Sequence, residues 1–171
     1  MTSSQSLLPE FDEEMKNTRK LLECVPDSKL DYQPHPKSMN MARLAGHVVE
    51  MVGWVKSTVD HEAFDIPPDF QPQLPKSRAE LLRSFDKNAA DARTGIERTT
   101  DQNWARIWSL TMQGKTLLSM PRSAVMRTLV LNHIIHHRAQ LGVYLRLNDV
   151  AIPGMYGPSA DEDNMFQAKN A

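Results

Sequence analysis

The sequence predicts an all-α fold: an antiparallel four-helix bundle with long connections and an irregular C-terminal tail. Apolar residues recur every three or four positions in four segments, which is the helical period. Runs rich in proline and glycine separate these segments. A chain of 171 residues is long enough for one hydrophobic core and short for two. We therefore expect a single domain over residues 1–171, in which four helices bury their apolar faces together.

The first helix is predicted from about Ser6 to Cys24, because its apolar residues follow one helical face. Pro26 ends this helix, and residues 27–38 contain two more prolines and form a connector. The apolar face consists of Leu7, Leu8, Phe11, Met15, Leu21 and Leu22.

A second helix can begin at a cap formed by Ser38 or Asn40. Its apolar stripe contains one histidine, His47, at a position where a buried residue is expected. Residues 61–76 hold four prolines with little periodicity, and we predict a surface loop there. The stripe of the second helix is Leu44, His47, Val48, Met51, Val55 and Val59.

The third helix has the firmest predicted start. Ser77 and Glu80 have the spacing of a capping box, and the apolar stripe runs from Leu81 to Ile96. Residues 101–118 fit either a short helical turn or one arm of a hairpin that turns at Gln113-Gly114, and both alternatives stay open.

The fourth helix places two histidines in its predicted buried stripe. Pro121 suits its first turn, and the chain is irregular from Asn148 onward. The stripe repeats every four residues through Val125, Leu129, His133, His137, Leu141 and Leu145.

Charge and composition exclude several classes of function. Twenty Lys and Arg residues balance twenty-one Asp and Glu residues, and no basic stripe is long enough to bind nucleic acid. No apolar run reaches the roughly 18–20 residues of a membrane span, and residues 1–14 do not resemble a signal peptide. Cys24 is the only cysteine, so no intrachain disulfide is possible. We expect a cytoplasmic protein that binds neither nucleic acid nor membranes.

Three histidines on facing stripes indicate a site for one divalent metal ion. Two histidines four apart, His133 and His137, project to the same side of a helix, and His47 from a facing helix completes the set. Neutral imidazoles bind Zn, Ni, Cu or Fe, and three protein ligands leave coordination positions for water or substrate. The alternative is a metal-free core in which buried histidines are hydrogen-bonded to their neighbours.

The other histidines are not expected to bind this ion. His136 lies about 100° around the helix from His137, so we interpret it as a surface residue or as one that supports a ligand. His35 and His61 lie in or beside proline-containing loops and should be exposed.

Glu50 is the only candidate for a catalytic residue, since it follows His47 by three positions. It could be a fourth ligand, an anchor for His47 or a general acid or base. The simpler interpretation is a solvated helix glutamate. Trp54, Trp104 and Trp108 either line a pocket or fill the core, and nothing near Cys24 suggests a nucleophile.

Three stretches of the chain resemble the DinB-like (YfiT-like) family of four-helix-bundle proteins. They are MARLAGHVVEMVGW around His47, the block from LNHIIHHRAQ to YGPSADE, and the early run LLECVPDSKLDYQPHPKSM. The second block is quite specific, although Ala139 stands where family members more often have glycine. The resemblance implies that His47, His133 and His137 bind a divalent metal ion, most often nickel or zinc.

The resemblance implies less about activity. Some relatives are metal-dependent transferases that attach a low-molecular-weight thiol to an electrophile, others are described as metal hydrolases, and many have no known reaction. Many form homodimers, and we expect the same of this chain. We therefore expect a metal-dependent thiol-transferase-like enzyme that acts on a small molecule, with a hydrolase or a non-catalytic metal-binding stress-response protein as alternatives. Substrate should enter near residues 61–76 and the tail around Tyr156.

Overall fold

The computed structural model describes residues 1–162 and contains helices together with a small sheet. The helical segments are α1 (Ser3–Glu23), a 3₁₀ turn (Asp27–Lys29), α2 (Met41–Asp60), α3 (Arg78–Arg98), α4 (Asp101–Ala105), α5 (Arg122–Val125), a π-helical segment (Met126–Leu131) and α6 (Asn132–Arg146). The strands are β1 (Ala63–Ile66), β2 (Ile107–Met112) and β3 (Lys115–Pro121). Residues 163–171 of the predicted tail lie outside the described residues.

The first three long helices begin at side-chain caps. Thr2 accepts a hydrogen bond from the backbone N–H of Gln5, whose side chain caps Thr2 in return, so α1 begins three residues earlier than predicted. The Asn40 side chain accepts from the N–H of Arg43, which selects Asn40 over Ser38 as the cap of α2. Ser77 accepts from the N–H of Glu80, as predicted for α3.

The all-α prediction is wrong, because three strands form a mixed sheet in the order β1-β2-β3. β1 lies within the segment predicted as an irregular loop and pairs in parallel with β2, with Ala63 opposite Ser109. A strand of four residues is too short to show an alternating pattern, and its hydrogen-bonding partner lies more than forty residues away in the sequence. The long connections thus build a layer beside the helices.

Residues 101–118 contain both structures that the sequence left open. α4 forms a short helix that buries Trp104, and β2 and β3 then form an antiparallel hairpin. Gln113 and Gly114 at the turn have φ angles of 50° and 76°. Positive φ at both central residues is the requirement of a two-residue type I′ turn, which matches the twist of the flanking strands.

The fourth predicted helix is present, but a π-helical segment interrupts it directly before the histidines. The N–H of Asn132 donates to the carbonyl oxygen of Arg127, five residues earlier. A repeat of four residues is longer than one α-helical turn of about 3.6 residues, so such a stripe gradually rotates around an α-helix. A π turn contains more residues than an α turn and partly cancels this rotation. Val125, Leu141 and Leu145 in this stripe are buried.

One hydrophobic cluster joins the long helices. Helix α2 lies between its neighbours and packs against both α3 and α6, while α1 packs against α3. The largest fully buried side chains include Phe11 of α1, Met51 of α2 and Phe85 of α3. Among residues 1–162, no helix combines the length and apolar character needed to cross a membrane.

Candidate metal centre

His47, His133 and His137 converge on one point between α2 and α6. Each offers one ring nitrogen, and these three nitrogens all lie within 4.8 Å of one another. The Nε2 atoms of His133 and His137 are 3.0 Å apart. The ring centroid of His47 lies 5.2 Å from that of His133 and 4.8 Å from that of His137. The structure therefore brings together the three residues that the sequence selects.

The distances fit a single ion. A tetrahedral metal with metal–nitrogen bonds of about 2.0–2.1 Å separates its ligand nitrogens by about 3.3–3.4 Å. That value lies between the 3.0 Å that separates Nε2 of His133 from Nε2 of His137 and the limit of 4.8 Å for all three nitrogens. Two imidazole nitrogens that face each other also need either a shared proton or a common ligand, and a metal ion meets this need.

In His47 and His137, the ring nitrogen Nδ1 has a partner that orients the ring. Nδ1 of His47 lies 3.1 Å from Oε2 of Glu50, and Nδ1 of His137 lies 2.7 Å from Oε1 of Gln140. Each contact leaves Nε2 free to face the centre. Metal-binding histidines are commonly held this way, with the second ring nitrogen bonded to a carboxylate or amide.

His133 and His137 are kept neutral by their surroundings. Burial lowers the pKa of His137 to about 4, although its contact with Gln140 acts in the opposite direction. Burial also lowers the pKa of His133, although the nearby Leu129 carbonyl partly offsets the shift. Nδ1 of His133 makes no well-formed hydrogen bond to the described residues. Because only the neutral imidazole offers a lone pair, both rings are ready to bind a metal at pH 7.

Glu50 is buried, so the interpretation of a solvated glutamate is wrong. Only 8% of the surface of this residue is exposed to solvent. Oε2 accepts from Nη1 of Arg43 at 3.0 Å besides contacting His47, and Oε1 accepts from the backbone N–H of Gln73. Burial acts to raise the pKa of Glu50, but the bonds from His47, Gln73 and Arg43 together lower it. Glu50 is therefore a charged anchor whose two oxygens both have partners.

The proline-rich segment covers Glu50 because Gly46 lets it approach α2 closely. A Cβ atom added at Gly46 would lie 2.5 Å from the carbonyl oxygen of Gln73 and 3.0 Å from Cδ of Pro75. This backbone contact places the Gln73 N–H against the Glu50 carboxylate. Arg43, Gln73 and Gln140 were not predicted as part of the site, although Gln140 has the helical spacing, three residues after His137, that could have shown its role.

Gly46→Ala should destabilise the protein by about 1–3 kcal/mol, because the loop backbone must move away from the helix. Gly142→Ala is the matched control, since a Cβ at that position in α6 meets no atom within 4 Å. Alanine there should instead stabilise the helix by about 0.5–1 kcal/mol. Urea unfolding of both variants measures the difference, and equal stabilities would show that the loop does not depend on Gly46.

The remaining histidines lie where the sequence predicts. His136 is exposed and lies beside His137, with ring centroids 4.8 Å apart, but it is not part of the cluster. His35 and His61 are exposed. Burial raises the pKa of the Cys24 thiol, which makes it a poor nucleophile.

An apolar cavity of about 300 Å³ lies beside the cluster, and His133 forms part of its wall. Trp54 and Trp108 also line it, whereas Trp104 fills the core and donates its indole N–H to Ser4 Oγ at 2.8 Å. The residues that line it from the predicted loop are Phe64, Ile66 and Phe70. Tyr156 does not line this cavity; its hydroxyl contacts Glu14 and Arg138.

The fold and the site define a largely helical protein with a three-histidine cluster able to hold one metal ion. A family model described as the DinB superfamily matches residues 10–141. The chain therefore belongs to the DinB superfamily, which confirms the resemblance found in the sequence.

Individual relatives agree with this assignment. The uncharacterized protein YrdA of Bacillus subtilis (strain 168) is 27% identical over 157 residues, which cover 91% of this chain and 89% of YrdA. A crystal structure of a DinB-like protein from Bacillus cereus ATCC 10987 superposes with a TM-score of 0.70 at 23% identity, covering 89% of this chain and 97% of that one. The DinB-like protein YjoA of Bacillus subtilis gives 0.69 at 18% identity, with 88% and 97% covered. These structures share the fold.

Proposed function

We propose that the protein is a metal-dependent enzyme of the thiol-transferase type that acts on a small molecule. His47, His133 and His137 would hold one divalent ion, either nickel or zinc. The observation that carries the proposal is the convergence of three ring nitrogens within 4.8 Å, two of them on imidazoles kept neutral by burial. A bound ion would supply a Lewis acid that lowers the pKa of a thiol or a water molecule at the site.

The reaction joins a low-molecular-weight thiol to an electrophile. A carbon–sulfur bond forms, the bond from carbon to the leaving group breaks, and the thiol proton departs with the leaving group. The protein's own residues bind and orient the reactants. Glu50 fixes the His47 ring, Gln140 fixes the His137 ring, and Trp54 packs beside His47 and His133 at centroid distances of 5.6 Å and 5.8 Å.

Glu50 acts in this proposal as a positioning residue. Its Oε2 is shared by His47 and Arg43 and its Oε1 is bonded to the Gln73 backbone, so neither oxygen is free to exchange a proton with substrate. A general acid or base must reach the group whose proton it moves.

The experiment that tests the proposal begins with elemental analysis of protein purified without a histidine tag. Protein loaded with nickel or zinc is then incubated with cysteine or N-acetylcysteine and the chromogenic electrophile chlorodinitrobenzene, with nitrophenyl acetate as a test for hydrolysis. Turnover that depends on both metal and thiol is the expected result. Ester cleavage without thiol would indicate a hydrolase. Metal without turnover would contradict catalysis and favour a metal-binding stress protein.

Glu50→Gln should weaken zinc binding about 10- to 100-fold, because a neutral amide holds the His47 ring less firmly than the carboxylate does. Competition with a chromogenic zinc chelator measures the affinity. Glu97→Gln is the control, since Glu97 is an exposed residue of α3 whose one ion-pair partner among residues 1–162 is Arg93. Unchanged zinc affinity in Glu50→Gln would mean that the carboxylate holds the Gln73 segment in place but does not support metal binding by His47.

A further inference from the structure

The apolar cavity beside the cluster has walls from three parts of the fold. Trp54 of α2 and Leu129 of the π-helical segment line it together with three residues of the sheet, Ile66, Trp108 and Leu110. The sheet, which the helical pattern does not predict, thus completes the cavity. The exposed fractions of Phe64 and Phe70 are 37% and 43%, so these two rings form the edge that faces solvent.

The cavity is next to the metal centre. His133 lines it directly, and Trp54 both lines it and packs against the rings of His47 and His133. A molecule that fills the cavity therefore lies beside the three histidines. This arrangement suits a substrate that is held by one part and reacts at another.

The walls favour an uncharged occupant. No Asp, Glu, Lys or Arg is among the twelve residues that line the cavity in the described part of the chain. The hydroxyl of Thr58 is already used, because it donates to the carbonyl oxygen of Trp54 at 2.9 Å. An ion placed there would lose its hydration without finding a side chain of opposite charge, which is costly.

Besides Nδ1 of His133, two donors in the wall have no partner within residues 1–162. They are the indole Nε1–H of Trp108 and the hydroxyl of Ser57, both of which are buried atoms. Trp108 as a whole is only 4% exposed. A buried donor without a partner costs about 1–3 kcal/mol, and most such groups in native proteins are satisfied. Both residues line the same cavity, so an acceptor bound there can serve one of them.

We propose that this cavity binds the apolar part of the substrate, and that the substrate is a small, neutral molecule with one hydrogen-bond acceptor for Trp108 or Ser57. This inference rests on the proposed function, because the molecule in the cavity is a substrate only if the metal centre is catalytic. A cavity of about 150 Å³ accommodates one benzene ring. The 300 Å³ found here accepts one substituted ring or two fused rings.

Acetophenone is a suitable probe, since it combines one ring with one carbonyl acceptor, and ethylbenzene is its counterpart without the acceptor. The indole N–H resonances of the three tryptophans report binding by NMR. Acetophenone should shift the Trp108 signal and leave that of Trp104, whose N–H is bonded to Ser4, unchanged. Acetophenone should bind about three- to tenfold more tightly than ethylbenzene, owing to the added hydrogen bond.

Leu110→Trp fills the cavity and should abolish binding of acetophenone. Leu117→Trp is the matched control, because Leu117 lies in the same sheet, is 46% exposed and does not line the cavity. Binding to Leu110→Trp as tight as to the unaltered protein, or no binding to the unaltered protein, overturns the proposal. Equal affinity for the two probes would overturn the part of the proposal that gives the substrate a hydrogen-bond acceptor.

Titrations with zinc-free and zinc-loaded protein separate this inference from the proposed function. Zinc binding without acetophenone binding would refute the cavity as a ligand site and leave the metal centre standing. Acetophenone binding without any zinc binding would refute the metal centre and retain the cavity as a ligand site.

Discussion

His133→Ala should reduce the metal content of the protein from one ion per chain to none that survives purification. Structural zinc sites with four protein ligands bind the ion with roughly 10–16 kcal/mol, so the loss of one ligand costs about 3–4 kcal/mol. This corresponds to a loss of affinity of at least about 100-fold. His47→Ala and His137→Ala should behave in the same way, because all three nitrogens meet at one point.

His136→Ala is the control for this series. It removes a histidine from the same helix, one position from His137, but the ring is exposed and lies outside the cluster. Its metal content should equal that of the unaltered protein in elemental analysis. Full metal content in His133→Ala, or an equal loss in His136→Ala, would contradict the three-histidine centre and favour a core of hydrogen-bonded histidines.

The pairing of His133 and His137 could be predicted from the sequence because it depends on local geometry. Residues four apart on a helix lie on the same side, whatever the rest of the chain does. His47 could be added because it lies in a second apolar stripe, although its distance from the other two depends on how α2 and α6 pack. The orientation of each ring is a further step, since Glu50 and Gln140 set it through specific hydrogen bonds.

The sheet and the burial of Glu50 could not be predicted, because both depend on distant parts of the chain. β1 is a strand only because β2 pairs with it, and its own four residues carry no periodic pattern. Gln73 lies against the Glu50 carboxylate and helps to bury it, and the prolines of that segment indicate irregular backbone but not its path. Helical periodicity describes one element at a time. The segments that cover the three-histidine cluster and close the cavity lack that periodicity.

Removing the charge of Arg138 should destabilise the protein by about 3–5 kcal/mol, since it leaves a buried carboxylate without its cation. Arg138 is 3% exposed, and its Nη2 lies 2.7 Å from Oε2 of Glu14, which is itself 7% exposed. Arg138 also donates to the Glu14 carbonyl and to Thr18 Oγ1, while Tyr156 donates its hydroxyl to Glu14. Arg138→Met keeps the apolar stem and removes only the guanidinium.

Urea unfolding of a set of variants distinguishes a buried pair from a general loss of charge. Arg19→Met breaks an exposed pair with Asp86 and should cost less than about 1 kcal/mol. The double variant of Arg138→Met and Glu14→Leu should recover most of the loss, because an apolar pair no longer holds an unpaired buried charge. A double variant as unstable as Arg138→Met alone would place the cost in the lost bonds to Thr18 and the α1 backbone, and not in the orphaned carboxylate.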